Sequence, residues 1–428
     1  MTATQIENIE SIQRTIAAVW RIESAKLIAS LARIVRDVGI AEELAQDALV
    51  AAMEQWPQSG VPDNPAAWLM TAAKHRAIDK LRRDELLERK HAQLAHELEA
   101  ALDDSADAAA AALDDPIGDD LLRLVFTACH PVLSPEARIA LTLRMLGGLT
   151  TDEIARAFLA TEPTIAQRIV RAKRTLADAN VAFEVPRGAE LAERLTSVLE
   201  AIYLIFNEGY TATAGDDWMR PQLCEEALRL GRIVAGLMPQ QAEVHGLVAL
   251  MELQASRMHA RTAPDGAPIL LLDQNRSRWD QLLIRRGLAS LERAQALGGA
   301  HGSYTLQAAI AACHARAHVA DATDWAQIAA LYATLATVTP SPVVELNRAV
   351  AVGMAHGPAA GLELADALLD APALKAYHLL ATVRGDLLEK LGRHAEACAE
   401  YERAAGMTRN ERERQLLLER AARASAAQ

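Results

Sequence analysis

Apolar positions along the chain follow the spacing of helices with one buried side, and β-branched runs are rare. Residues 5–56 read as helices on this pattern. Residues 57–65, Pro-Gln-Ser-Gly-Val-Pro-Asp-Asn-Pro, interrupt it with turn formers, and a further helix runs from about Ala66 to about His96. The helical pattern resumes over 121–182. A second break falls at Val185-Pro-Arg-Gly188, and about 240 residues of helix with short interruptions follow it. Within them Arg261-Thr-Ala-Pro-Asp-Gly-Ala-Pro268 is irregular and suits a tight turn or hairpin. The pattern predicts an all-α protein.

Composition agrees, since Ala and Leu abound and aromatics make up 4% of the 428 residues, a helix-favouring mixture. The formal net charge of −12 argues against a nucleic-acid binder when taken whole. Its distribution says otherwise. Residues 97–120 hold nine acids and no Lys or Arg, which reads as an acidic linker unable to bury apolar surface. Basic residues concentrate on either side of it, at 74–83 and 168–174.

The first candidate chemistry lies near residue 160. Thr150-Thr-Asp-Glu153 is a capping box that opens a short helix with Ile154, Ala155 and Phe158 inward. Leu159 to Glu162 supply a turn, and Pro163 suits the first position of a second helix. There Ile165, Ile169, Ala172 and Leu176 form a packed stripe, and Thr164, Gln167, Arg168, Arg171 and Arg174 form the other side, with Lys173 at its flank. Short polar groups that meet base edges and arginines that meet phosphate or guanine are the chemistry of a recognition helix. A solvated basic surface gives the same charges. The cap, turn and Pro-initiated second helix together favour a helix-turn-helix.

A second basic helix begins at Trp68 and carries Lys74, His75, Arg76, Lys80 and Arg83, with Ile78 and Leu81 assigned inward. Gln58 and Asn64 sit in the turn-rich loop before it. Loop polar groups beside a basic helix suit single-stranded DNA, and an exposed amphipathic helix has the same pattern. The preceding helix, 41–56, places Glu43, Asp47, Val50 and Glu54 on one side, opposite Leu44, Ala48 and Leu49. An acidic stripe on a DNA binder is better suited to touching protein.

In the tail, Gly385, Leu388, Gly392, Ala397, Tyr401 and Ala404 stand where a tetratricopeptide (TPR) helix pair takes small, large, turn, small, aromatic and small residues. A looser copy spans 343–373, broken at Gly357-Pro358. His314 and His318 lie one turn apart beside Cys313, a spacing that can hold zinc, but histidines packed between helices are the simpler reading, so no metal or cofactor is assigned. Asp273, Arg276, Arg278, Trp279 and Asp280 form a polar cluster suited to pinning a loop through buried ion pairs and a Trp N–H bond, or to a ligand. Cys129, Cys224, Cys313 and Cys398 show no ligand spacing and read as buried free thiols. Nucleotide-loop and nucleophile-elbow motifs are missing, so the chain reads as no enzyme. With no signal-like segment and no apolar run near 20 residues, a cytoplasmic protein without membrane contact is expected.

The order of parts over 5–182 resembles the extracytoplasmic-function (ECF) group of the sigma-70 family. Ile40-Ala-Glu-Glu-Leu-Ala-Gln-Asp-Ala-Leu49 is similar to the helix by which these factors grip the RNA polymerase clamp, which implies a polymerase contact for Glu43, Asp47, Val50 and Glu54. Residues 67–83 resemble the melting and −10-reading helix, although His75 stands where many members have Asn and Thr71 where a basic residue is common. Residues 150–176 resemble the −35-reading helix-turn-helix, and 97–120 takes the place of the linker that threads the polymerase. Phe126-Thr-Ala-Cys-His-Pro131, Ile205-Phe-Asn-Glu-Gly-Tyr210 and Leu272-Asp-Gln-Asn-Arg-Ser-Arg-Trp-Asp280 resemble a subgroup with a TPR-like C-terminal extension, linked to small DGPF/YCII-like proteins.

The resemblance implies a sigma domain 2 bundle over 1–96, an acidic linker over 97–120, a sigma domain 4 over 121–185 and a TPR-like regulatory domain over 186–428. Core RNA polymerase, promoter DNA and a small DGPF/YCII-like protein are the implied partners. Two alternatives stay open: a TPR-containing helix-turn-helix regulator without sigma activity, and an interaction scaffold.

Overall fold

The computed structural model describes residues 3–95, 117–158, 160–212, 218–264, 266–375 and 377–427. Among them there is no strand, and an isolated antiparallel bridge joins Thr262 and Pro268. This bridge closes the expected hairpin, with Ala263 N–H donating to the Ala267 carbonyl at 2.9 Å. The helices divide into two compact units, 1–201 and 202–428.

Unit 1 begins with three helices, α1 (Ala3–Val35), α2 (Val38–Ser59) and α3 (Pro65–Ala95). They pack on one another through Leu27, Ile28 and Leu31 of α1, Leu44, Ala48 and Trp56 of α2, and Leu69, Ala73 and Ala77 of α3, all buried. Asp37 caps α2 by accepting from Ile40 N–H at 2.8 Å. Gly60 stops it at φ 85°, a left-handed conformation that costs a side-chain-bearing residue. Four more helices follow: α4 (Ile117–Ala128), α5 (Pro135–Met145), α6 (Thr151–Ala157) and α7 (Glu162–Asp178).

The expected linker residues 97–116 lie outside the described residues. The remaining four belong to a helix, because Asp120 is buried between Arg33 of α1 (2.9 Å) and Arg123 (2.7 Å). The expected boundary at 185/186 also falls ahead of the structural one. Helix α8 (Ala189–Tyr210) docks its first half on unit 1. Arg194 donates to the Phe126 carbonyl at 3.1 Å, and Arg138 donates to Ser197 at 2.6 Å and to Glu200 at 2.9 Å. These buried polar groups would be left without partners if the unit ended at 185.

Unit 2 continues α8 with α9 (Pro221–Leu237), α10 (Ala242–Ala255), α11 (Gln281–Ala296), α12 (Ser303–Arg316), α13 (Trp325–Val338), α14 (Pro342–His356), α15 (Pro358–Asp366), α16 (His378–Lys390), α17 (His394–Met407) and α18 (Glu411–Ala426). From α13 onward each helix packs mainly on its sequence neighbours, the quasi-one-dimensional stacking of repeat proteins, whereas α12 packs most heavily on α10, two helices back. The stack returns on itself at its ends, where Asn410, the cap of α18, donates to the Ala212 carbonyl at 3.2 Å.

The tail repeat has the geometry its spacing predicts. Leu388, Ala397, Tyr401 and Ala404 are buried, and Gly392 turns the chain at φ 73°. Gly385 lets the Tyr401 ring lie against the backbone, so that an added Cβ would stand 2.7 Å from it. The Tyr401 hydroxyl donates to Glu389 at 2.6 Å, and Arg420 of α18 covers the ring at 4.5 Å. Gly385→Ala is expected to destabilise unit 2 by about 1–3 kcal/mol, the usual cost of overpacking. Urea unfolding of the full chain measures it, and an unchanged midpoint would show that the ring gives way freely.

The polar cluster after the hairpin pins its loop differently from the expectation. Buried Arg276 donates to the carbonyls of His314 (2.9 Å) and Ala317 (2.8 Å) and to the Thr323 hydroxyl (2.9 Å), with no carboxylate among them. The Trp279 indole N–H is buried without a partner among the described residues. Asp280 caps α11. Cys398 is half-buried, whereas the other three cysteines are buried.

Candidate nucleic-acid interface

Reciprocal hydrogen bonds fix the start of the helix-turn-helix. Glu153 N–H donates to the Thr150 hydroxyl at 3.1 Å, and Thr150 N–H donates to the Glu153 carboxylate at 2.8 Å. Ile154 and Ala155 are buried and Phe158 half-buried. Helix α7 starts one residue earlier than its sequence suggests, at Glu162, with Thr161 as cap and Pro163 in the first turn. Ile165, Ile169, Ala172 and Leu176 are buried against the rest of the fold. Thr164, Gln167, Arg171 and Arg174 are exposed and Arg168 is half-buried, so one turn-by-turn face of α7 points outward.

Three details refine this face. Val170 lies in its middle at 63% exposure, where an apolar side chain suits a thymine methyl. The sequence assignment missed it, although its spacing from Gln167 and Arg174 places it on that face. The Thr164 hydroxyl is shared with that of Thr161 at 2.8 Å. Lys173 does not belong to the face at all. It forms an ion pair with Glu42 of α2, and its aliphatic stem lies beside Gly39.

Glu42 is 2% exposed and also accepts from Arg144 of α5 at 2.6 Å. It therefore joins α2 to both α5 and α7. Burial pushes its carboxyl pKa up, but Lys173 and Arg144 together bring it below the ordinary value. A carboxyl with a lowered folded-state pKa stabilises above the ordinary carboxylate range and loses that contribution as pH falls through its lowered value. The α2–α7 contact is expected to hold at neutral pH and open only in acid below the ordinary carboxylate range. Amide hydrogen exchange along α7 checks this, and opening near pH 6 would contradict it.

The acidic stripe of α2 is an exposed surface as expected, with Glu43, Asp47, Val50 and Glu54 all outward. Met53 joins it: Val50 and Met53 are 50% and 51% exposed. The pair forms an apolar centre with an acidic rim, the anatomy of a protein contact. Met53 was missed because the charge stripe alone does not mark it.

The segment 58–83 is arranged less uniformly, and Gln58 lies in the last turn of α2, which runs through Pro57, not in the expected loop. Asn64 caps α3 by accepting from Ala67 N–H at 3.0 Å, and Trp68 packs edge-on against Trp56 at 5.5 Å. Gln58, His75 and Arg83 are exposed, and Lys74, Arg76 and Lys80 are half-buried. Ile78, assigned inward, is 39% exposed, because α3 turns Leu69, Ala73 and Ala77 to the core. No helix among the described residues is long and apolar enough to cross a membrane.

Comparison with known proteins finds families that match these stretches of the chain. The family Sigma-70 region 2 matches residues 22–86 and Sigma-70, region 4 matches 123–176, while a family of unknown function (DUF6596) matches 194–295. The uncharacterized protein R00370 of Rhizobium meliloti is 43% identical over 382 residues, 89% of each chain. The ECF RNA polymerase sigma factor SigK of Mycobacterium ulcerans is 31% identical over 151 residues, 34% of this chain and 75% of the relative. SigK of Mycobacterium tuberculosis is 29% identical over 169 residues, 38% and 84% of the two chains. No solved structure matches the chain.

Proposed function

The chain belongs to the extracytoplasmic-function sigma factors of RNA polymerase, and from that premise we propose which of its surfaces carry out each part of transcription initiation. Sigma factors are non-enzymatic initiation factors whose partners are core RNA polymerase and promoter DNA. The outward face of α7, with Thr164, Gln167, Arg168, Val170, Arg171 and Arg174, reads the −35 element. This assignment rests on one observation above the others: a doubly capped helix-turn-helix holds that face clear of the core. Gln58, His75 and Arg83, with Lys74, Arg76 and Lys80 beside them, contact the −10 strand. Asn64 and Trp68 hold α3, which presents all of these but Gln58, carried by the last turn of α2. Glu43, Asp47, Val50, Met53 and Glu54 dock on the polymerase.

Unit 2 regulates these steps in a cytoplasmic protein, and association with a small DGPF/YCII-like protein rests on the subgroup resemblance alone. Added to sigma-free core polymerase, the full chain is expected to direct transcripts from promoters upstream of its own operon. It should also compete with other sigma factors for core. DNA binding without that competition would favour the regulator without sigma activity.

A further inference from the structure

Unit 2 holds a partly enclosed cavity of about 500 Å³. Helices α8, α10, α12, α13 and α14 all contribute to its wall. Leu253, Leu271, Ile310 and Leu335 give it apolar surface, while Asn207 and Gln307 are among its polar groups. Among the described residues of the lining, Arg257 is the one cation and there is no carboxylate.

The charges behind the wall strengthen this asymmetry. Arg257 donates to the Tyr210 hydroxyl and lies over the rings of Tyr210 (5.6 Å) and Trp279 (5.9 Å). Arg261 covers Tyr210 from 3.6 Å and bonds to the Tyr210 carbonyl and the Thr211 hydroxyl. Arg276 is held by carbonyls and a hydroxyl. Among the described residues, none of the three guanidiniums has a carboxylate partner. One cation in the wall and two behind it, without carboxylate partners among the described residues, make a field that favours an anion in this apolar-walled space. His314, also in the wall, shows the same field. Burial, with Arg257 and Arg276, pushes its pKa down to about 3, so the ring is neutral, and its Nδ1 is buried without a partner among the described residues.

We propose that this cavity binds a small organic carboxylate, with the anionic group on Arg257 and an apolar body against Leu253, Leu271, Ile310 and Leu335. A guanidinium pairs with a carboxylate through charge-assisted, often two-pronged hydrogen bonds, and the cavity volume suits a small organic molecule. The segments Ile205–Tyr210 and Leu272–Asp280, singled out in the sequence, thereby gain a role: Tyr210 and Trp279 hold Arg257 in place. The inference goes beyond the regulatory reading of unit 2, because binding is measured without transcription, so either can fail alone.

The test is calorimetric titration of the full chain with hexanoate and benzoate, with their neutral amides and with inorganic phosphate. At least one carboxylate is expected to bind saturably with a Kd below about 1 mM, and its amide at least tenfold more weakly. Arg257→Gln should erase that preference. Ala311→Phe, which fills the cavity and leaves the cations in place, should abolish binding with the helical circular dichroism unchanged. The proposal is overturned by no saturable carboxylate binding up to about 10 mM, by equal binding of acid and amide, or by undiminished binding to folded Ala311→Phe. Binding of phosphate alone also overturns it, since the apolar walls would then play no part.

Discussion

Replacing Arg171 and Arg174 together by alanine should weaken the binding of a −35 duplex by roughly 10- to 100-fold while leaving the melting temperature essentially unchanged. Both side chains are exposed on α7. Arg174 pairs with Asp178 at 3.4 Å, with both partners largely in solvent, so removing that pair costs little stability. In the complex each arginine would meet a phosphate or a guanine edge, contacts worth about 1–3 kcal/mol where they are base-specific. Each phosphate that is no longer neutralised lowers the salt slope of binding by about 1. The size of the slope change therefore tells phosphate contacts from base contacts. Unchanged affinity would remove both residues from the interface. Val170→Ala supplies the complementary case: it should reduce the preference for thymine at one position and leave the salt slope alone.

Glu42→Gln should release the contact between α2 and α7. The amide keeps the shape of the carboxylate but leaves Arg144 and Lys173, two cations, facing a neutral group. Removing one partner from a buried ion pair costs about 3–5 kcal/mol. Faster hydrogen exchange along α7 is the expected sign, with tighter binding of a −35 duplex because Lys173 becomes available. On the proposed assignment of the two DNA-reading surfaces, the bridge would have to open for both promoter elements to be read at once. The −10 and −35 elements lie about 25 base pairs apart by their positions, roughly 85 Å of duplex at 3.4 Å per step. A compact body of about 200 residues has a radius of gyration of about 16 Å, too small to reach both. If Glu42→Gln changes neither exchange nor DNA affinity, the bridge does not restrain the recognition helix.

Local signals in the sequence carried the helix-turn-helix. The capping box, the stripe from Ile165 to Leu176 and the small residues around Tyr401 are all set by spacing within a few turns, where helical period decides what is buried. What the sequence concealed depends on partners far along the chain. Lys173 looked like one more DNA-facing cation, but Glu42, 131 positions earlier, takes it out of that face. Asp120 looked like the last acid of a linker, but Arg33 makes it a core residue. Ile78 looked inward by hydrophobicity, while the smaller Ala73 and Ala77 fill that side because α1 and α2 approach closely there. Arg194 and Ser197 carried no signal that they complete the unit before them.

The buried thiols have a use independent of any of these roles. Burial pushes Cys129 up to about 11 and Cys224 up to about 12, so neither reacts as a thiolate until its surroundings open. Cys129 lies in unit 1 and Cys224 in unit 2. Alkylation of the native chain, read peptide by peptide, becomes a pair of built-in clocks, each timing the opening of one half of the molecule. Addition of core polymerase, promoter DNA or a cavity ligand would slow or speed each clock separately, and so reveal which half a given partner holds shut.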